Sequence, residues 1–168
     1  SSVGIINPVD RVKIGAIGGN DPGVFYPGEI AIFSKSGGMS SETSLLLTRA
    51  GLGQSTVVGI GGDVLLGSTF ADLLALFEKD RETDAVVLFG EIGGTYEEDA
   101  AEFIKRGSFS KPVAAFISGR FADSLPNVSL GHAGAIIEGG KGTRESKIIA
   151  LQEAGVMVAE VHHELVDL

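Results

Sequence analysis

Two hydrophobic patterns alternate along this chain. Ile30-Ala31-Ile32-Phe33, Thr56-Val57-Val58-Gly59-Ile60, Ala85-Val86-Val87-Leu88-Phe89, Pro112-Val113-Ala114-Ala115-Phe116-Ile117 and Val156-Met157-Val158-Ala159 are short runs with no polar alternation. Runs of this length and composition fit strands covered on both faces. The stretches between them carry apolar residues at helical spacing. From about Met39 to Ala50, the residues Met39, Thr43, Leu46, Leu47 and Ala50 share one face, and Gly51 is a natural stop. From about Thr69 to Lys79, Phe70, Leu73, Leu74 and Phe77 form a stripe, with Ser68 or Thr69 as cap and Asp72 in the first turn. The helix from Tyr96 to Arg106 opens with a capping-box pattern, Thr95-x-x-Glu98, and Gly107 ends it. Its acidic first turn and its Lys105-Arg106 end both suit the helix dipole. A further helix runs from about Arg144 to Ala154, and a terminal one begins at His163 and runs to Leu168.

Five strand-then-helix units in succession predict an α/β fold: a flavodoxin-like, doubly wound parallel sheet of about five strands with helices on both faces, over residues 29–168. Residues 1–28 read as an irregular lead-in with turn signals at Asn20-Asp21-Pro22-Gly23 and Pro27-Gly28; within it, Val12-Lys13-Ile14 could form a short strand.

Right-handed crossovers keep the strands parallel, so every strand-to-helix loop emerges at one edge of the sheet. Four such loops are rich in glycine or polar residues: Ser34–Gly38, Gly61-Gly62-Asp63, Gly90–Gly94 and a long loop from Ser118 to Gly142. The last contains Gly131-His132-Ala133-Gly134, a histidine framed by residues with almost no side chain and therefore open to approach. Ser36-Gly37-Gly38-Met39-Ser40 admits two readings. The backbone can curl so that successive N–H groups, backed by a helix N-terminus, cradle an anion. Alternatively, it is a tight turn with a serine cap. It lacks the Gly-Lys-Ser/Thr ending of a Walker loop. Glu91 ends an apolar strand, where an unpaired buried carboxylate is costly; a histidine on the same edge would offset that cost and gain an oriented, more basic ring. The other reading of Glu91 is a solvated loop residue. Asp63 is most simply a turn-forming aspartate, though its loop, with Gly61 and Gly62, lies at the same edge.

Composition narrows the partners. The chain of 168 residues suffices for one full domain, and its net charge of -9 argues against nucleic acid and anionic membranes. There is no cysteine, which excludes disulfides and thiolate chemistry and fits a reducing compartment. No metal site is expected: the adjacent His162 and His163 do not share a helix face, and no ligand spacing accompanies them.

Read together, Ser-Lys-Ser-Gly-Gly-Met-Ser-Ser-Glu (34–42), Gly-Ile-Gly-Gly-Asp (59–63), Gly-Ser-Thr-Phe-Ala-Asp (67–72), Gly-Glu-Ile-Gly-Gly (90–94), Gly-His-Ala-Gly-Ala-Ile-Ile (131–137) and Gly-Gly-Lys-Gly-Thr (139–143) resemble the ligase-CoA domain of the succinyl-CoA synthetase α subunit superfamily. That superfamily includes nucleoside-diphosphate-forming acyl-CoA synthetases, citryl-CoA synthetase and ATP-citrate lyase. The resemblance extends from about Lys13 across nearly the whole chain. It implies a reversible reaction in which acyl-CoA, phosphate and a nucleoside diphosphate yield carboxylate, CoA and a nucleoside triphosphate. His132 would be the phosphorylated nucleophile and Glu91 the residue that orients it. Ser36, Gly37, Gly38, Met39 and Ser40 would bind the phosphoryl group, with Gly61, Gly62, Asp63, Gly131 and Ala133 as active-site loop positions. Coenzyme A, phosphate and ATP or GTP with Mg would be bound mainly by partners: a Rossmann-type CoA-binding domain, which in this family precedes the lead-in, and an ATP-grasp β subunit or domain. On this reading the domain by itself would not turn over, and it would work in the cytoplasm or, in a eukaryote, the mitochondrial matrix. The Ser-Gly-Gly-Met-Ser form is similar to the citrate-handling branch, so succinate, malate, citrate and acetate all stay open as the acid. Two further readings stand beside the enzyme: a regulatory domain that kept the fold without turnover, and a flavodoxin-like binder of flavin or nucleotide.

Overall fold

The structure, a computed structural model, describes residues 3–19, 21–120 and 142–168. Its strands are β1 (Gly4–Asn7), β2 (Val12–Gly15), β3 (Pro27–Ser34), β4 (Gln54–Gly59), β5 (Ala85–Glu91), β6 (Val113–Ser118) and β7 (Met157–Ala159). Its helices are α1 (Gly37–Arg49), α2 (Phe70–Phe77), α3 (Tyr96–Lys105) and α4 (Arg144–Glu153), and a 3-10 turn closes the chain at His162–Val166. The seven strands form one mixed sheet in the order β2-β1-β4-β3-β5-β6-β7. The five from β3 to β7 are mutually parallel. Counted by themselves, they stand in the flavodoxin order, with the second strand outside the first.

Side-chain parity along the strands builds two cores. Ala31 and Phe33, Val58, Val86 and Leu88, Ala115 and Ile117 face α2, α3 and α4, where Phe70, Leu73, Leu74, Ala100, Ala101 and Leu151 complete the layer. Ile32, Val57, Val87 and Ala114 face the other way, onto Leu47 of α1 and Leu165 of the 3-10 turn. Both faces of the parallel strands are covered, which is why their sequences read as continuous apolar runs.

The edge departs from the simple pattern: residues 1–28, expected to be an irregular lead-in, hold β1 and β2, and Pro27-Gly28, expected to be a turn, opens β3. β1 pairs antiparallel with both β2 and β4. Only Val12-Lys13-Ile14 of this hairpin is visible in the sequence; Gly4-Ile5-Ile6-Asn7 is too short to stand out. Ile6 and Ile17 are nevertheless buried in the α1-side core. Helix ends differ as well. The expected Thr95–Glu98 capping box does not form: Thr95 makes no side-chain cap bond and donates instead to Asp99 at 3.2 Å. Glu98 is drawn away by Gly142, Ser146 and Lys147. The reciprocal box forms at Thr69 and Asp72. The chain ends in a 3-10 turn rather than an α-helix. Among the described residues, no helix is long and apolar enough to cross a membrane.

Candidate functional site

The sheet order creates one place where consecutive crossovers diverge. From β3 the chain passes through α1 to β4 on one side; from β4 it passes through α2 to β5 on the other. The carboxyl ends of β3 and β5 therefore flank a crevice, the topological switch point where open α/β sheets bind ligands.

The β3 end supplies the serine-glycine turn. Ser36 is the N-cap of α1, its Oγ accepting from the Met39 N–H at 3.3 Å. Ser40 is buried and its hydroxyl donates to the Gly37 carbonyl at 2.6 Å. Both hydroxyls are thus engaged inside the turn. The N–H groups of Gly37 and Gly38 are the first two of the helix and have no intrahelical acceptor. A Cβ on Gly38 would meet nothing within 4 Å, so that position faces open space. The serine-cap reading of this turn is correct as local structure, and it leaves the backbone donors at the helix end outward.

The β5 end supplies Glu91. Its backbone N–H donates to Glu97 Oε1 at 3.1 Å. Lys35, Gly62, Asp63, Glu91, Ile92 and Tyr96 line one small recess, so the Gly61-Gly62-Asp63 turn meets the Glu91 loop there. Gly61 has φ +87, a conformation that glycine adopts without strain.

Gly131, His132 and Ala133 lie outside the described residues. The described residues on either side of that segment are anchored beside Glu91. Ser118, at the end of β6, is in register with Glu91. Past the segment, the Gly142 carbonyl accepts from the Gly93 N–H at 2.7 Å, and the Gly142 N–H donates to Glu98 Oε1 at 3.2 Å.

Behind the recess lies a cluster of charges that the sequence does not announce. Glu97 is fully buried and pairs with Lys35 (Nζ to Oε1 2.8 Å, to Oε2 3.0 Å) and with Lys147. Lys147 also bonds Glu98 at 2.9 Å and the Gly94 carbonyl at 2.8 Å. Lys35 also donates to the Gly93 carbonyl at 3.0 Å, and the ammonium lies 5.3 Å from the centre of the Tyr96 ring. Burial pulls the Lys35 pKa below the ordinary lysine value, although Glu97 opposes the shift. For Glu98, burial pushes upward, but the bond to Lys147 and its charge lead the influences that hold the carboxyl below its ordinary value. Lys35 follows a buried strand end, a hint that its amine must find a partner; nothing in the sequence pairs Glu97 with Lys147, which lie fifty residues apart.

A flavodoxin-type α/β unit with a helix N-terminus, a carboxylate and a glycine-rich turn at its switch point is the class these observations define. Residues 33–157 match the CoA-ligase family model, and the chain belongs to that family. It is 54% identical over 157 residues to subunit alpha 1 of the ADP-forming succinate–CoA ligase of Archaeoglobus fulgidus, covering 94% of this chain and 51% of that protein. It is 46% identical over 137 residues to an ADP-forming sulfoacetate-CoA ligase subunit of an Acholeplasma species, covering 82% of this chain and 46% of that one. Among solved structures, the ATP citrate lyase of Methanosaeta concilii in complex with (3S)-citryl-CoA superposes with a TM-score of 0.90 at 30% identity, covering 98% of this chain and 28% of that chain. The chain spans about half the length of the curated relatives it matches.

Proposed function

We propose that this chain is the phosphohistidine-carrying part of a nucleoside-diphosphate-forming acyl-CoA synthetase, with His132 as the carrier. The observation that carries the reading is the anchoring of both flanks of the histidine segment beside Glu91, at a switch point that also holds the exposed N-terminus of α1.

The chemistry balances in three transfers. Phosphate attacks the thioester carbonyl of acyl-CoA, the C–S bond breaks, and CoA leaves as the thiol with an acyl phosphate formed. A neutral imidazole nitrogen of His132 then attacks phosphorus, and the bond to the acyl oxygen breaks to release the carboxylate. Finally the phosphoryl group passes from His132 to the terminal oxygen of a nucleoside diphosphate. Glu91 holds the ring in one tautomer and offsets the positive charge it gains. The N–H groups of Gly37 and Gly38 receive the phosphoryl oxygens at the positive end of α1, where no reorganisation is needed as charge arrives. Gly62 and Asp63 form the opposite wall. A CoA-binding domain and an ATP-grasp partner, which also holds the magnesium nucleotide, supply the two sites between which His132 carries phosphate.

The succinate–CoA ligase likeness, at 54% identity against 30% for the lyase, favours a succinyl group and ADP over a citryl group. A panel of succinate, malate, citrate, sulfoacetate and acetate, assayed for CoA- and nucleotide-dependent formation of the acyl-CoA with release of phosphate, separates these. The test of the carrier is labelling of the full-length protein with its nucleotide-binding partner, using γ-labelled ATP and magnesium. Acid-labile, base-stable phosphate is expected in the wild type and absent from His132→Asn. Label that survives the substitution refutes the assignment, and a wild type that takes up none favours the regulatory reading.

A further inference from the structure

Glu97 has no direct route to a substrate, yet it is buried with full charge complement directly behind Glu91. Lys35 and Lys147 carry two positive charges, and Glu97 and Glu98 carry two negative ones. These cancel, and Glu91 is a fifth charge on the same recess as Lys35. Lys35 directs its ammonium to Glu97 and to the Gly93 carbonyl. Glu97 Oε1 meanwhile accepts the backbone N–H of Glu91. Were the Glu97 charge lost, the main influence opposing burial would go, and Lys35, only 3% exposed, would retain its ammonium only by turning to a carboxylate on its own recess, Glu91 or Asp63. Burial influences that ammonium most, Glu97 next, and Glu91 also pulls on it, so the two are within electrostatic reach. A buried cation seeks a counter-charge strongly, because leaving it unpaired costs several kcal/mol.

We propose that Glu97 is a positioning residue for phosphoryl transfer: it occupies Lys35 so that Glu91 stays committed to the histidine, and it pins the Glu91 backbone. The inference rests on the phosphohistidine reading. Its test is the single-turnover rate constant of phosphate uptake by the full-length protein with its nucleotide-binding partner and labelled ATP. The rate constant reports the geometry of the transfer, whereas the amplitude reports the folded fraction, so a merely structural role moves the amplitude alone.

Glu97→Gln is expected to slow the rate constant by at least about tenfold, the scale of a misplaced reacting group. Two double variants, each removing one charge of each sign, isolate the cause. Glu97→Gln with Lys147→Met leaves Lys35 free to capture Glu91 and stays slow. Glu97→Gln with Lys35→Met removes the competitor, keeps an oxygen for the Glu91 N–H, and recovers a rate constant close to wild type. Equal rate constants for the two double variants, whether fast or slow, overturn the proposal. A wild type that takes up no acid-labile label, or whose label survives His132→Asn, overturns the underlying reading instead.

Discussion

The Lys147→Met substitution tests how strongly the buried charges tie α3, α4 and the Glu91 loop together. Lys147 and Glu97 are both 0% exposed, so neither finds water if the other is removed. Losing the ammonium leaves Glu97 with Lys35 alone, leaves Glu98 without its cation, and frees the Gly94 carbonyl. Breaking a buried pair by removing one partner costs about 3–5 kcal/mol, most of it the cost of the charge left behind. For a domain of this size, that corresponds to a fall in Tm of about 6–20 °C. A built-in control is Lys105→Met. Lys105 also bridges α3 and α4, through Glu153 at 3.1 Å, but its pair is 60% and 61% exposed. Water screens such pairs to about 0.2–1 kcal/mol. Thermal and urea unfolding of the two variants side by side should therefore separate them widely. If Lys147→Met lowers stability no more than Lys105→Met, the buried cluster does not hold the loop and the reasoning fails.

Other consequences are open to the same measurements. Thr69→Ala removes the hydroxyl half of the capping box on α2, leaving the Thr69 N–H to Asp72 bond, and should cost about 1 kcal/mol in urea unfolding; no loss would mean that the Asp72 half alone suffices. Gly90→Ala would drive a Cβ to 2.7 Å from Glu97 Oε1 and from Ile117 Cδ1. Overpacking of this kind costs about 1–3 kcal/mol, and normal stability would contradict the close approach. The lowered Glu98 pKa makes a pH prediction. Its carboxylate contributes stability above the ordinary carboxylate range, and that contribution is lost as pH falls through the lowered folded value. Glu98→Gln should accordingly flatten the acid limb of the stability profile. Lys35 has the opposite character. Its folded pKa lies below the unfolded one, so stability should rise as pH rises from the folded value toward the ordinary lysine value. Lys35→Met should abolish that rise, and an unchanged alkaline slope would remove Lys35 as its source.

The parallel core was legible because its physics is local. A strand covered on both faces has to be apolar throughout, and a helix covering it has to repeat every three or four residues. Those two rules locate β4 to β7 and α1 to α4 within about two residues, and β3 apart from its first three residues, Pro27 to Glu29. The antiparallel hairpin at the edge was half visible, since four residues such as Gly4–Asn7 carry too little pattern of their own and are held by pairing with β2 and β4. The capping box at Thr95 failed for a tertiary reason: Glu98 has a better partner in Lys147 than its own helix end. The same holds for the site. Convergence of Ser36–Ser40, Gly61–Asp63 and Glu91 follows from parallel topology alone. The Lys35–Glu97–Lys147 cluster does not, because it depends on how α3 and α4 lie against the loop, and charged residues in helical first turns ordinarily face water.

The central claim is that His132 carries phosphate between two sites, and a chase of the isolated phosphoprotein addresses it most directly. Protein labelled from γ-labelled ATP, freed of nucleotide, is divided and given either ADP with magnesium or a carboxylate together with CoA. The account predicts that label leaves by both routes, as ATP in the first and as inorganic phosphate with stoichiometric acyl-CoA in the second, and that Glu91→Gln slows both. Label that is inert to both, or that leaves at the wild-type rate in Glu91→Gln, would contradict it.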